Sequence, residues 1–102
     1  VILGPNHFGI GHRIATYPEG EWITPLGEAK VDSMVSQLGL PIDDYAFQFE
    51  HSIEVQIPFL QYVVNKFSFI PIILQELSIS EYYKLADIIV DLIKKGYFLI
   101  IR

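Results

Sequence analysis

Apolar residues open the chain as Val1-Ile2-Leu3, and the run halts at Gly4-Pro5, so residues 1–4 read as a short buried strand. Residues 5–23 show neither a helical nor an alternating period, are rich in Gly and Pro, and hold the chain's only Trp. Such a stretch inside a compact domain is uncommon and often functional. Thr24-Pro25 then gives a helix start, Thr as N-cap and Pro at the first helical position. Val31, Met34, Val35 and Leu38 continue at helical spacing until Gly39 and Pro41 stop the helix.

A second helix is predicted over Ser52–Lys66, because Ile53, Ile57, Leu60, Val64 and Phe67 recur in steps of four and three. Pro58 inside that stripe removes a backbone donor and clashes one turn back, so it demands a kink or a later helix start. Ser68–Leu74 reads as a strand whose Pro71 belongs at a sheet edge or a strand end. Ser78 and Glu81 have the spacing of a capping box. Tyr82, Ala86, Ile89 and Ile93 form a stripe, Asp91 and Lys95 an i,i+4 pair, and Gly96 a stop, which together predict a third helix. Residues 97–101 return to an apolar strand. The order strand, long loop, helix, helix, strand, helix, strand indicates an α/β fold with a mostly parallel sheet covered by helices.

The chain has 102 residues, a length that suits a single domain spanning 1–102. Its hydrophobic fraction of 51% is high for that size. Elements buried on both faces would account for it, as would surfaces hidden by further polypeptide. Apolar strands at both ends favour the second account, so the expectation is an internal fragment of a larger domain. The formal charge is −5 with Lys and Arg dispersed, which leaves no basic stripe for nucleic acid. Without cysteine there is no disulfide and no thiolate ligand. No apolar run approaches the ~20 residues that span a bilayer. No leader is visible, and a cytoplasmic setting is the default expectation.

Candidate chemistry collects at two places. Asn6 and His7 leave the first strand at its carboxyl end, the edge where open α/β sheets bind ligands, so His7 could ligate a metal or move a proton. It could equally hydrogen-bond a loop carbonyl. Glu50-His51-Ser52, with Glu54 one turn on, places an imidazole beside two carboxylates, an arrangement for acid–base work by His51 and Glu50. Helix capping by Ser52 with solvated acids is the other reading. Together, His7, His51 and Glu50 or Glu54 would make a two-His-one-carboxylate set of the kind that holds non-haem iron. His12 reads as a surface residue, Asp43-Asp44 as a solvated turn, and Trp22 as a cover for the first helix.

The runs Leu3-Gly4-Pro5-Asn6-His7, Trp22-Ile23-Thr24-Pro25-Leu26-Gly27, Val31-Asp32 and Glu50-His51-Ser52-Ile53-Glu54-Val55-Gln56-Ile57-Pro58-Phe59-Leu60 resemble, in order and over nearly the whole chain, the Memo family. The resemblance implies a three-layer α/β sandwich related to class III extradiol dioxygenases, which hold non-haem iron with two His and a carboxylate. In the Memo family the metal site draws on a His in an upstream Pro-His-Ala-Gly motif, the His of the Gly-Pro-x-His motif, and a downstream Cys. Of these only the second is present, as His7. The family's later Ser-Asp-x-x-His motif is also missing, and Phe8 stands where relatives often carry a second His.

By that carry-over His7 is the metal ligand, Asn6, Ser52 and Glu54 line the cleft, and His51 is a cleft residue and not a ligand, which disfavours the internal triad. The implied cofactor is non-haem iron or another divalent metal in a longer protein, poorly held by these residues alone. The implied activity is that of a metal-dependent oxidoreductase acting on an unidentified small molecule, with this segment alone inactive and a His beyond it acting as base. The competing expectation is a non-catalytic module that takes a peptide or protein in the same cleft. Neither version involves nucleic acid or membrane; the partners expected are a small molecule or peptide and further segments of the same polypeptide.

Overall fold

A computed structural model describes all 102 residues, Val1–Arg102. Its main sheet is built around β1 (Ile2–Pro5), flanked by β6 (Pro71–Leu74) on one side and β7 (Ile100–Ile101) on the other, both parallel to it. Beyond β6 lies β2 (Ile14–Thr16), antiparallel, giving the order β2-β6-β1-β7. The predicted α/β class and mostly parallel sheet are found. Ile2, Ile72 and Ile73 are almost wholly buried, and each contributes about 2 kcal/mol of burial free energy.

The sheet is not the only one. β3 (Gly20–Thr24) and β4 (Gly27–Val31) form a hairpin that β5 (Ser68–Phe69) joins in parallel. A helix starting at Thr24-Pro25 is therefore absent. Thr24 pairs with Gly27 across a two-residue turn, and Gly27 takes φ +114°, a value suited to glycine. The apolar residues once spaced as a helix divide among elements: Val31 ends β4, and Met34 and Val35 sit in a 3-10 turn over Ser33–Gln37 capped by Asp32. Residues 5–23 are likewise not structureless, since they contain β2 and most of β3. Trp22 covers no helix. It stands edge-to-face against Tyr17, Phe47 and Phe69 and fills the space behind the hairpin.

The single strand expected over Ser68–Leu74 is two strands in two sheets, with buried Ile70 as the crossing point. Pro71 opens β6, where its missing donor does no harm, although β6 lies inside the sheet and not at its edge. The helix expected from Ser52 begins later, as Pro58 required. A 3-10 turn at Glu54–Gln56 leads into α1 (Ile57–Val64), with Pro58 in its first turn.

α2 (Ile79–Lys94) runs between β6 and β7 and matches its predicted bounds. Ser78 Oγ accepts from the Glu81 amide while the Glu81 carboxylate accepts from the Ser78 amide. Asp91 and Lys95 pair at 2.9 Å, and Gly96 takes φ +97°. Its core face, however, is Leu85 and Leu92 with Ile88 and Ile89; Tyr82, Ala86 and Ile93 of the predicted stripe face outward. Two apolar rows coexist on this helix, and the sheet takes the one with the larger aliphatic side chains. Ser78→Ala should lower stability by about 1 kcal/mol through loss of the cap. Thermal unfolding checks this, and an unchanged midpoint would count against the capping box.

Candidate functional site

β1 delivers its last residues to the carboxyl end of the sheet, where three separate contacts fix the exit. The Asn6 amide donates to Leu74 O at 2.7 Å, the buried Asn6 side chain donates to Ile10 O at 2.8 Å, and its oxygen accepts from the Gly9 amide. Ser52 Oγ donates to Pro5 O at 3.1 Å, so Ser52 joins the 50–52 corner to the strand and does not cap a helix. The approach is close because residue 4 is glycine: a Cβ there would lie 2.7 Å from Ser52 Oγ and 2.9 Å from Ile53 Cγ1.

His7 faces that corner. Its backbone amide donates to Glu50 Oε1, and its ring Nδ1 lies 3.0 and 3.1 Å from the two Glu50 oxygens. The Ser52 amide donates to Glu50 Oε2 at 2.8 Å. Burial opposes ionisation of Glu50, yet the amides of His7 and Ser52, with help from their side chains, overcome it and bring the carboxyl down to about 2. An ionised carboxylate only accepts, so Nδ1 of His7 carries the proton and a neutral ring keeps its lone pair on Nε2. The ring is open to water, with the side chain 58% exposed while that of Glu50 is 3% exposed.

His51 repeats the arrangement on its own element: Nδ1 lies 2.7 Å from Glu54 Oε2, and both side chains are exposed. The internal set of His7, His51 and one carboxylate does not gather at a point, because each imidazole is held by a different Glu. No group of three or more His, Asp or Glu side chains is arranged to hold a metal ion. His12, read as a plain surface residue, is exposed but anchored in the same way, Nδ1 to Asp43 Oδ2 at 2.7 Å with its amide on the same oxygen. Asp43 also caps the 3-10 turn Asp44–Phe47, and the His12 side chain and amide hold its carboxyl below the usual range against the opposing effect of burial.

A groove of about 300 Å³ joins these parts. His7, Phe8, Glu50, His51, Ser52, Val55 and Arg102 line it, so the structure brings His7 together with the Glu50-His51-Ser52 corner. Asn6 shapes the loop below it. Glu54 holds His51 from the side and lines a second pocket of about 350 Å³ with Glu50, Trp22, Tyr17 and Phe47. Arg102 and Val55 were not singled out from sequence. Val55 follows directly from the helical turn after His51, whereas nothing local marks Arg102, which reaches the groove because β7 lies beside β1.

The sequence profile of the Memo-like protein family matches residues 1–102. The chain belongs to the Memo-like family. Relatives named MEMO1 family protein include one from Pyrococcus horikoshii, 57% identical over 72 residues that make up 65% of this chain and 25% of the relative. Another, from Saccharolobus islandicus, is 43% identical over 105 residues, covering 94% of this chain and 36% of the relative. A third, from Pyrococcus abyssi, is 47% identical over 93 residues, covering 79% of this chain and 32% of the relative. This Memo-like chain thus spans between a quarter and about a third of the length of these relatives. No solved structure matches it. No helix is long and apolar enough to cross a membrane.

Proposed function

We propose that this Memo-like chain contributes one wall of a metal-dependent cleft of the class III extradiol dioxygenase kind, with His7 as a metal ligand. The observation that carries it is the Glu50–His7 contact, which selects the Nδ1–H tautomer of a ring that lines a groove and so frees Nε2 to act as a ligand. Metal-ligating histidines have that outer carboxylate as a regular companion. His7 is a single donor and no group of three or more such side chains gathers here, so on this proposal the remaining ligands would come from polypeptide beyond these residues. When bound, a divalent iron would supply Lewis acidity and a site for dioxygen chemistry.

The chain's own residues then divide the work. Glu50, ionised and bonded to the His7 amide, the His7 ring and the Ser52 amide, positions His7 and does not itself exchange protons. His51 lines the groove with its Nδ1 held by Glu54, which orients the ring to take the proton of a substrate hydroxyl. Phe8 and Val55 supply an apolar wall for a small ring.

The test uses a chimera in which the matched segment of the Saccharolobus islandicus relative is replaced by this chain. After dialysis it should hold about one divalent metal per chain, and His7→Ala should weaken retention at least tenfold, as should Glu50→Gln through loss of the outer contact, with effects of about 10–100-fold. His51→Gln should leave metal content unchanged and shift the pH profile of turnover. Equal metal content in the parent and His7→Ala would sink the ligand assignment. Metal-independent capture of a peptide in the groove would favour the non-catalytic alternative.

A further inference from the structure

We infer that the outer face of α1 and the free edge of β7 form one docking surface, and that its occupant is the remainder of a longer Memo-like polypeptide. α1 is eight residues long, yet three of them present large apolar groups to water: Phe59 is 72% exposed, Tyr62 85% and Val63 78%. They lie on the face opposite buried Ile57. A surface helix normally carries polar side chains there, whereas the one amide side chain of this helix, Gln61, is turned to Thr24 and Gly27 of the hairpin, so its outer face is that of a helix covered on both sides.

The patch continues past the helix. Leu60 and Val64 share an apolar depression with Phe98 and Ile100, and Phe98 is itself 89% exposed. Those residues lead into β7, which has β1 on one side and no strand on the other. The amides of Ile100 and Arg102 donate to Val1 O and Leu3 O, so by the alternation of a strand the polar groups of Leu99 and Ile101 point to the open edge. The opposite edge of the sheet is closed, because Thr16 of β2 exchanges backbone bonds with Pro41 and Asp43. An unpaired apolar edge is an association hazard that folded proteins cover.

Three occupants would satisfy such a surface: a second copy, an unrelated partner, or further chain. The relatives favour the last, since the matching segment makes up only 25–36% of their length. In them the equivalent of this face sits within a single longer polypeptide. Lys66 is the only charge on α1 or its C-terminal extension to Phe67, so the outer face of the helix is short of the charged groups that a permanently solvated surface carries. The occupant's chemistry follows: a strand added to β7 and an apolar helix face laid over Phe59, Tyr62 and Val63.

The test compares Phe59→Asp with Tyr62→Asp in two settings. In the isolated chain both side chains face water, so the double variant should leave the melting temperature unchanged. In the chimera described above the same substitutions should lower it by about 10 °C or abolish soluble protein, as burial of charge predicts. Should the chimera not fold, hydroxyl-radical footprinting of the natural Saccharolobus islandicus protein supplies the second reading: the residue aligned with Tyr62 should be protected, while Tyr62 in the isolated chain reacts freely. Equal effects in both settings, or a reactive aligned residue in the relative, would overturn the inference. So would a homodimer of the isolated chain that the substitutions dissociate, which would assign the surface to a second copy.

Discussion

Glu50→Gln should lower stability by about 2–3 kcal/mol at neutral pH, the largest loss expected from a single polar substitution in this chain. Glu50 is 5% exposed, and its carboxylate receives the His7 amide, the His7 ring and the Ser52 amide. A glutamine amide offers one acceptor where two are used, and it turns a donor toward another donor. The same contacts set a pH dependence. With its folded value at about 2, below that of an unfolded glutamate near 4.5, ionised Glu50 favours the folded state. That contribution is complete above about pH 4.5 and disappears as the pH falls toward 2, and it amounts to about 3 kcal/mol. Asp32 and Asp43 are also held low, so acid weakens both proteins, and the result lies in the difference between them. Urea unfolding at pH 7 and pH 3 should show the gap between parent and Glu50→Gln closing on acidification. A gap that stays constant would mean that Glu50 is not the buried anion described.

Gly4→Ala should cost about 2–3 kcal/mol, although it adds a single methyl group to a strand residue whose φ is ordinary. The added carbon would stand 2.7 Å from Ser52 Oγ and 2.9 Å from Ile53 Cγ1. Ile53 is 1% exposed and has nowhere to retreat. Relief must come from the 50–52 corner moving off β1, which breaks the Ser52–Pro5 bond and slackens the hold of Glu50 on His7. Chemical denaturation measures the loss, and faster hydrogen exchange at the Ser52 amide reports the displacement. Ser52→Gly in the same protein should recover part of the stability, because the two sites share one contact. A change within ±0.5 kcal/mol would show that the corner is not wedged against the strand.

The parts of this fold that could be read from sequence are those where local chemistry and tertiary demand agree. α2 announces itself through Ser78, Glu81 and Gly96, each acting within a turn of its neighbours, and the structure uses all three. β1 and β6 are apolar runs bounded by Gly or Pro. The hairpin was missed because Thr24-Pro25 satisfies a helix N-terminus and a tight turn equally well, and because Ile23 points outward and hides the alternation of Glu21, Trp22 and Thr24. Ala29 and Val31 inward with Glu28 and Lys30 outward carried the period-two signal that could have settled it. At the candidate site the sequence supplied the residues but not their pairing. Glu50 looked like the partner of adjacent His51, whereas the fold gives it to His7 and leaves His51 to Glu54. Nothing local encodes a contact between residues 43 positions apart. It exists because Gly4 lets the corner approach β1.

The central place of β1 has a kinetic side. Ile2 is hydrogen-bonded into a ladder whose other members are Pro71 and Ile100, both distant along the chain, so this strand is among the last to be paired. Until then an aliphatic segment waits without neighbours while the hairpin and α2 can already close from nearby residues. Refolding should accordingly be slow at the sheet and fast elsewhere, and the interval is when this chain is most exposed to aggregation and to chaperones.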